Sequence, residues 1–294
     1  MKYFIGKEER PSQQMLTFVL AFIICAIIGT IISMLLSPFC GGNSNALLAV
    51  NALAQVIMFA IPPIWVAFRF YQEPHQFLQL QHNRQTGRYL LWSLLLIVVV
   101  VPFNECITAW NDSWHWSGVW SQVEKILRQM GEESSKLLAG SLENTSIGQL
   151  IFNLFAIALV PAVCEELFFR GGLQQLLYRW THRPHLAIVL TAIIFSLAHM
   201  DLFAFLPRVL LGILLGYMFY YSGSIWVNMS AHFLNNAAVV VLYFLYHKHI
   251  VDINIAEEFT FAWYAVIASA IVTVIIFYIA FLRKPKQLEG TESW

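Results

Sequence analysis

The stretch 147-IGQLIFNLFAIALVPAVCEELFFRGGLQQLLYRW-180 decides the fold. Its apolar run is longer than the roughly 20 helical residues that a bilayer core requires. Lipid offers the backbone no partners, so a run of this length must be helical. Yet it holds adjacent Glu165 and Glu166 and, four residues on, Arg170, among the side chains hydrocarbon tolerates least. Residues i and i+4 share a helix face, so Glu166 and Arg170 are matched for an ion pair that neutralises both. Glu165 points about 100° away. It has no intrahelical partner and is expected in the bundle interior, where a carboxylate suits general-base work.

The rest of the chain agrees with a membrane setting. Of 294 residues, 59% are hydrophobic and 12% charged, against about half and about a quarter in soluble domains. An all-α polytopic protein of about eight spans is predicted, at 15–37, 47–71, 89–104, 147–180, 185–202, 204–221, 224–246 and 259–282. Lys2, Lys7 and Arg10 precede the first of these, which exceeds the roughly 7–15 apolar residues of a cleavable signal core and reads as a retained span. Lys and Arg collect in the N-terminal tail, at Arg69, Arg84 and Arg88, at Arg179 and Arg183, and at Arg283, Lys284 and Lys286. The positive-inside rule then places both termini in the cytoplasm, with a bacterial inner membrane as the default. Formal net charge is zero, which gives no reason to expect a nucleic-acid partner. Cys25, Cys40, Cys106 and Cys164 show no paired metal spacing, and no disulfide framework is expected.

The chain reads as one domain, 1–294, without internal repeats. Its long connection, 105–146, falls on the outer side and carries Trp110, Trp114, Trp116 and Trp120. Apolar residues at helical spacing over 119–138 predict an interfacial amphipathic helix. It serves either as a covering loop or as a lid or substrate guide. Gly212 and Gly216 form a G-x-x-x-G that permits close helix approach. Pro62-Pro63 should kink the second span. Asp201 and Arg208 flank a short outer turn, where they are placed to pair.

Further ionisable and amide groups lie in other spans. His199 is in the fifth, and His232 and Asn236 share a face of the seventh. Glu165 precedes the turn at 181-THRPH-185 by about 17 residues and His199 follows it by about 17. At 1.5 Å per residue both lie roughly 25 Å from it. His232 and Asn236 lie roughly 14–20 Å from the turn at 222-SGS-224, an offset that protruding helix ends would absorb. Each group alone has a structural reading as interhelical packing glue. Together they gather a carboxylate, two imidazoles and an amide at one level in the membrane.

The motifs 165-EELFFR-170, 195-FSLAH-199 and 232-HFLNN-236, in this order on consecutive helical hairpins, resemble the CAAX-protease and bacteriocin-processing intramembrane endopeptidases. The resemblance covers about 150–240, within a motif region of about 147–246, and the first 145 residues carry no matching motif. It implies an eight-helix membrane peptidase. Glu165 would activate water, His199 would hold that water, and His232 and Asn236 would stabilise the oxyanion. Glu166, Arg170 and Phe195 would support them. The implied substrate is a prenylated CAAX protein, a peptide precursor or a membrane protein, and the sequence leaves both this choice and the oligomeric state open.

Zinc is the rival chemistry, because two histidines and a glutamate can form a catalytic site with an open position. Glu165, His199 and His232 would be its ligands and Glu166 its base, at the expense of the pair with Arg170. No H-E-x-x-H is present, and the cofactor-free reading is preferred. A non-catalytic bacteriocin-immunity or scaffold protein is the second reading, distinguished by a phenotype that survives Glu165→Gln. A secondary transporter is the third; against it, the chain shows neither inverted repeats nor paired broken helices.

Overall fold

The computed structural model describes residues 10–82, 85–252 and 261–282. Lys2, Lys7, Arg84, Arg283, Lys284 and Lys286 of the charge argument lie outside them. All regular structure among the described residues is helical. The chain is a polytopic all-α membrane protein. Its helices are α1 (Pro11–Leu36), α2 (Ser44–Phe70), α3 (Thr86–Val99), α4 (Val101–Asp112), α5 (Trp120–Leu142), α6 (Ile147–Thr181), α7 (Pro184–Leu197), α8 (Phe205–Ser222), α9 (Ile225–His247) and α10 (Trp263–Phe277).

Six helices are long and apolar enough to cross a membrane, and α3 with α4 makes a seventh span bent by 46°. The bend falls just before Pro102, whose missing N–H and fixed φ interrupt a helix. The remaining predicted span, 185–202, is the 14-residue α7. At 1.5 Å per residue α7 reaches only about 21 Å. The count of eight therefore holds only if a bent pair and a short helix are included.

Two of the long spans contain prolines and yet run unbroken. A π turn, Val56–Ala60, directly precedes Pro62-Pro63 in α2, and another, Leu154–Leu159, precedes Pro161 in α6. The wider turn accommodates the carbonyl that the proline ring would strike. A third π segment, Leu167–Gln174, contains Arg170 and precedes no proline within α6. Such segments occur often at functional sites.

Packing relies on small residues and rings, as expected where lipid removes most of the hydrophobic drive between helices. A Cβ on Gly212 would stand 2.9 Å from the Ala192 Cβ, and one on Gly216 would stand 2.7 Å from Ile188 Cγ2. The G-x-x-x-G face thus lets α8 approach α7 closely. Phe18 and Phe22 of α1 and Phe59 of α2 close around Phe168 of α6 at 4.8–5.2 Å between centroids. Phe168 continues to Phe169 and Phe195 at 5.0 Å each step.

At one end of the bundle the segment 74–80 tucks under the helices. Phe77 and Leu78 are buried, the Ile225 N–H donates to the Gln79 carbonyl, and Trp226 Nε1 donates to the Leu80 carbonyl. Arg179 lies over the Tyr71 and Phe77 rings at the same end. Ser222 and Ser224 are consequently buried, so the α8–α9 turn is covered by this segment.

At the other end α5 forms where an amphipathic helix is predicted. Trp120, Val123, Ile126 and Met130 are exposed along one side, and Lys125, Glu132 and Lys136 along another. Arg128 fastens the helix. It donates to the Asp112 carboxylate at 2.9 Å, the Asp112 carbonyl at 2.8 Å and the Glu124 carboxylate at 3.0 Å, and it lies 3.8 Å over the Phe203 ring. The far end of α5 is held where Asn153 Nδ2 donates to the Ser141 carbonyl, beside the doubly hydrogen-bonded Asn45–Gln149 pair. Asp201 and Arg208 pair at 2.9 Å, as their spacing predicts.

Glu124 gives this strap a defined acid limit. The backbone N–H of Trp116, then His115 and Arg128, hold its carboxyl down to about 2. A depressed carboxyl contributes stability that is present above its ordinary value and lost as pH falls towards the folded value. Backbone amide exchange over 120–130 is therefore expected to stay slow from neutral pH to the ordinary carboxylate range. Relative to the rate of an unprotected chain at each pH, it should accelerate progressively as pH falls below that range towards about 2. Glu124→Gln should raise that exchange already at pH 7.

Candidate active site

Glu165, His199 and His232, singled out in the sequence, meet where α6, α7 and α9 adjoin. Glu165 Oε2 lies 4.0 Å from His199 Nε2 and 3.9 Å from His232 Nε2. His232 thus reaches Glu165 although it lies nearer its turn by residue count. His199 follows the end of α7, where Met200 takes a left-handed φ of 51° and turns the chain. Its side chain is 32% exposed, against 9% for Glu165 and 5% for His232. The cluster therefore opens on the His199 side.

Beneath it lies a wholly buried charge centre. Arg170 Nη1 donates to Glu166 Oε1 at 2.7 Å, with both side chains fully buried. Arg170 Nη2 donates to the Gly212 carbonyl at 3.0 Å, and one turn on Gln174 Nε2 donates to the Gly216 carbonyl at 3.1 Å. The glycines that admit α7 thus also present their carbonyls to α6. Glu166 further meets His232 Nδ1 at 2.9 Å and accepts from Asn228 Nδ2 at 3.3 Å.

These contacts set the tautomers. A carboxylate and a carbonyl only accept, so the Nδ1 of His232 facing Glu166 carries its proton. The same holds for the Nδ1 of His199, 2.8 Å from the Phe195 carbonyl. Both imidazoles then aim Nε2 at Glu165. Phe195 also touches both rings, with centroids at 4.9 and 6.0 Å, and lies 5.0 Å from the Arg170 guanidinium.

Asn236 lies one turn beyond His232 on α9. Its side-chain oxygen accepts from Asn235 at 3.4 Å, and among the described residues no hydrogen bond links it to Glu165 or either imidazole. Two other amides do reach the centre. Asn228 lies four residues before His232 and is fully buried, a position the same i, i+4 reasoning would have reached. Gln55 Nε2 donates to Glu165 Oε1 at 3.1 Å across a sequence separation of 110, for which no local pattern exists.

Residues 147–238 match the family model described as Rce1-like, type II CAAX prenyl endopeptidase Rce1-like. The match contains Glu165, Glu166, Arg170, Phe195, His199, Asn228, His232 and Asn236, and leaves out α1, α2 and α5. It agrees with the resemblance carried by the three motifs. The matched family is one of proteases and supports an intramembrane endopeptidase activity. No curated protein and no solved structure matches the chain.

Proposed function

With residues 147–238 carrying a CAAX-endopeptidase family domain, we propose that this multi-pass membrane protein hydrolyses a peptide bond inside the bilayer with a water activated by Glu165. The observation that carries the reading is the convergence of two imidazole Nε2 atoms on one buried carboxylate oxygen at about 4 Å. That separation is too long for a direct hydrogen bond. It is a span that one water oxygen bridges.

The hydrogen bonds define the division of labour. Oε2 of Glu165 and both Nε2 atoms accept in their resting forms, and a water has only two protons for these three acceptors. The site therefore works with one further proton. The reading places it on His232 Nε2, the ring whose Nδ1–H is held by the Glu166 carboxylate at 2.9 Å. With His232 charged, Glu165 and Glu166 balance His232 and Arg170. His199 Nε2 and Glu165 Oε2 then each accept a water proton. Glu165 takes one as the water oxygen bonds to the carbonyl carbon. The resulting oxyanion accepts from His232 Nε2–H. Glu165 passes its proton to the amine nitrogen as the C–N bond breaks.

The metal-free form is supported by ligand geometry. Atoms sharing one tetrahedral zinc would lie about 3.3 Å apart, closer than the 4.0 and 3.9 Å found. Among the described residues no group of three His, Cys, Asp or Glu side chains is arranged to hold a metal ion. Glu166, the base a zinc mechanism would need, is fully committed to Arg170, His232 and Asn228. The substrate is proposed to be a peptide or membrane protein. The orientation with both termini in the cytoplasm rests on the charge distribution alone.

The test is cleavage of membrane-peptide substrates by purified protein. His199→Ala and His232→Ala are each expected to lose activity roughly 100-fold or more. A strong chelator should leave the wild-type rate intact. Chelator-abolished activity restored by added zinc would sink the metal-free form.

A further inference from the structure

We infer that Gln55 is a positioning residue for Glu165: it holds one carboxylate oxygen so that the other faces the two imidazoles. The inference rests on the reading of Glu165 as the base. Gln55 Nε2 donates to Oε1 at 3.1 Å, whereas Oε2 is the oxygen that faces His199 and His232. The two oxygens therefore have separate partners. A carboxylate free to rotate about its last bond would exchange them, and a base must be held in one productive orientation.

The sequence and the helix around Gln55 support the same assignment. From Val56 to Phe68 no polar side chain occurs in α2, and an amide placed among such residues is costly unless it finds a partner. The π turn Val56–Ala60 starts at the next residue. Within that turn, Phe59 packs on Phe168 and Phe169, three and four residues after Glu165. On the other side of α2, Gly29 of α1 meets Met58 and the Ala54 carbonyl closely. The amide is thus mounted on a section of α2 fixed on both sides. An amide suits the task better than a lysine or arginine, because it orients the carboxylate without adding a charge that would compete for it. Gln55 lies outside the segment that carries the family match, so the centre described by 147–238 is completed by α2.

The experiment compares wild type with Gln55→Leu, Gln55→Glu, Asn51→Leu and Glu165→Gln. Asn51 lies one turn earlier in α2 and is exposed. Gln55→Leu should lower kcat roughly 10- to 100-fold, the weight of a hydrogen bond to a charged group, with KM within about twofold. Gln55→Glu should lose activity at neutral pH and recover it as pH falls, because a protonated carboxyl can again donate to Oε1 while an ionised one repels it. A purely structural role predicts no such recovery. Asn51→Leu should leave both constants unchanged.

A second readout needs no substrate. Dicyclohexylcarbodiimide labelling of Glu165 in membranes, followed by mass spectrometry, should rise severalfold in Gln55→Leu as Oε1 is released. Unchanged kcat or unchanged labelling in a folded Gln55→Leu protein overturns the inference while leaving the base intact. Full activity of Glu165→Gln overturns the reading of the base and this inference with it.

Discussion

Glu165→Gln is expected to lower kcat for peptide cleavage by roughly 10³-fold, within the range of a lost general base, while the protein stays folded. The two halves of this expectation have different physical sources. The chemical half follows from Oε2. With its one oxygen kept by Gln55, the variant presents an NH2 in place of Oε2, which accepts no proton, so the water beside the imidazoles is no longer deprotonated as it attacks. The structural half follows from the separation of Glu165 from the charge centre. Arg170 donates to Glu166 and to the Gly212 carbonyl, and none of these contacts involves residue 165. Gln is isosteric with Glu and still offers Gln55 an acceptor, so unfolding temperature in detergent should move by only a few degrees. KM should change little, because the altered group acts on water rather than on substrate. A variant that unfolds would return residue 165 to a structural role. A folded variant with undiminished cleavage, or a phenotype that survives the substitution, would favour the scaffold reading over the peptidase.

What could be read in advance divides by the range of each contact. The Glu166–Arg170 pair is intrahelical and follows from a spacing of four, so it was legible without any fold. The meeting of Glu165 with His199 was legible from equal residue counts about one turn. The level of His232 was harder, because it depends on a turn buried under 74–80, a segment with no hydrophobic length to announce it. Asn228 lay within reach of the helical repeat that relates His232 and Asn236. The same repeat gives Asn236, whose side-chain oxygen accepts from Asn235. Gln55 was beyond local reasoning, since its partner is 110 residues away. The bend between α3 and α4 and the shortness of α7 also escaped a reading by hydropathy, which registers apolar length but not direction.

Arg170→Met is expected to destabilise the fold by about 3–5 kcal/mol, the range for removing one partner of a buried ion pair. That corresponds to a fall on the order of 10 °C in unfolding temperature. Methionine fills much of the space, so the cost is electrostatic rather than a cavity. Glu166 would keep only His232 and Asn228 as donors, in an environment with no access to water. The Gly212 carbonyl would lose its donor as well, on the face where α8 meets α7. Activity should fall with stability, because a Glu166 that gathers His232 more closely draws its ring away from Glu165. The double variant Glu166→Gln/Arg170→Met separates charge from shape. Removing both charges takes away the stranded carboxylate, so it should be more stable than Arg170→Met alone. It should nevertheless remain poorly active, since an amide at 166 no longer holds the His232 Nδ1–H as the carboxylate does. Thermal unfolding of wild type, Arg170→Met, Glu166→Gln and the double variant in one detergent, read beside their cleavage rates, checks both parts. Additive losses across the cycle would show that Glu166 and Arg170 do not act as the pair their 2.7 Å contact describes.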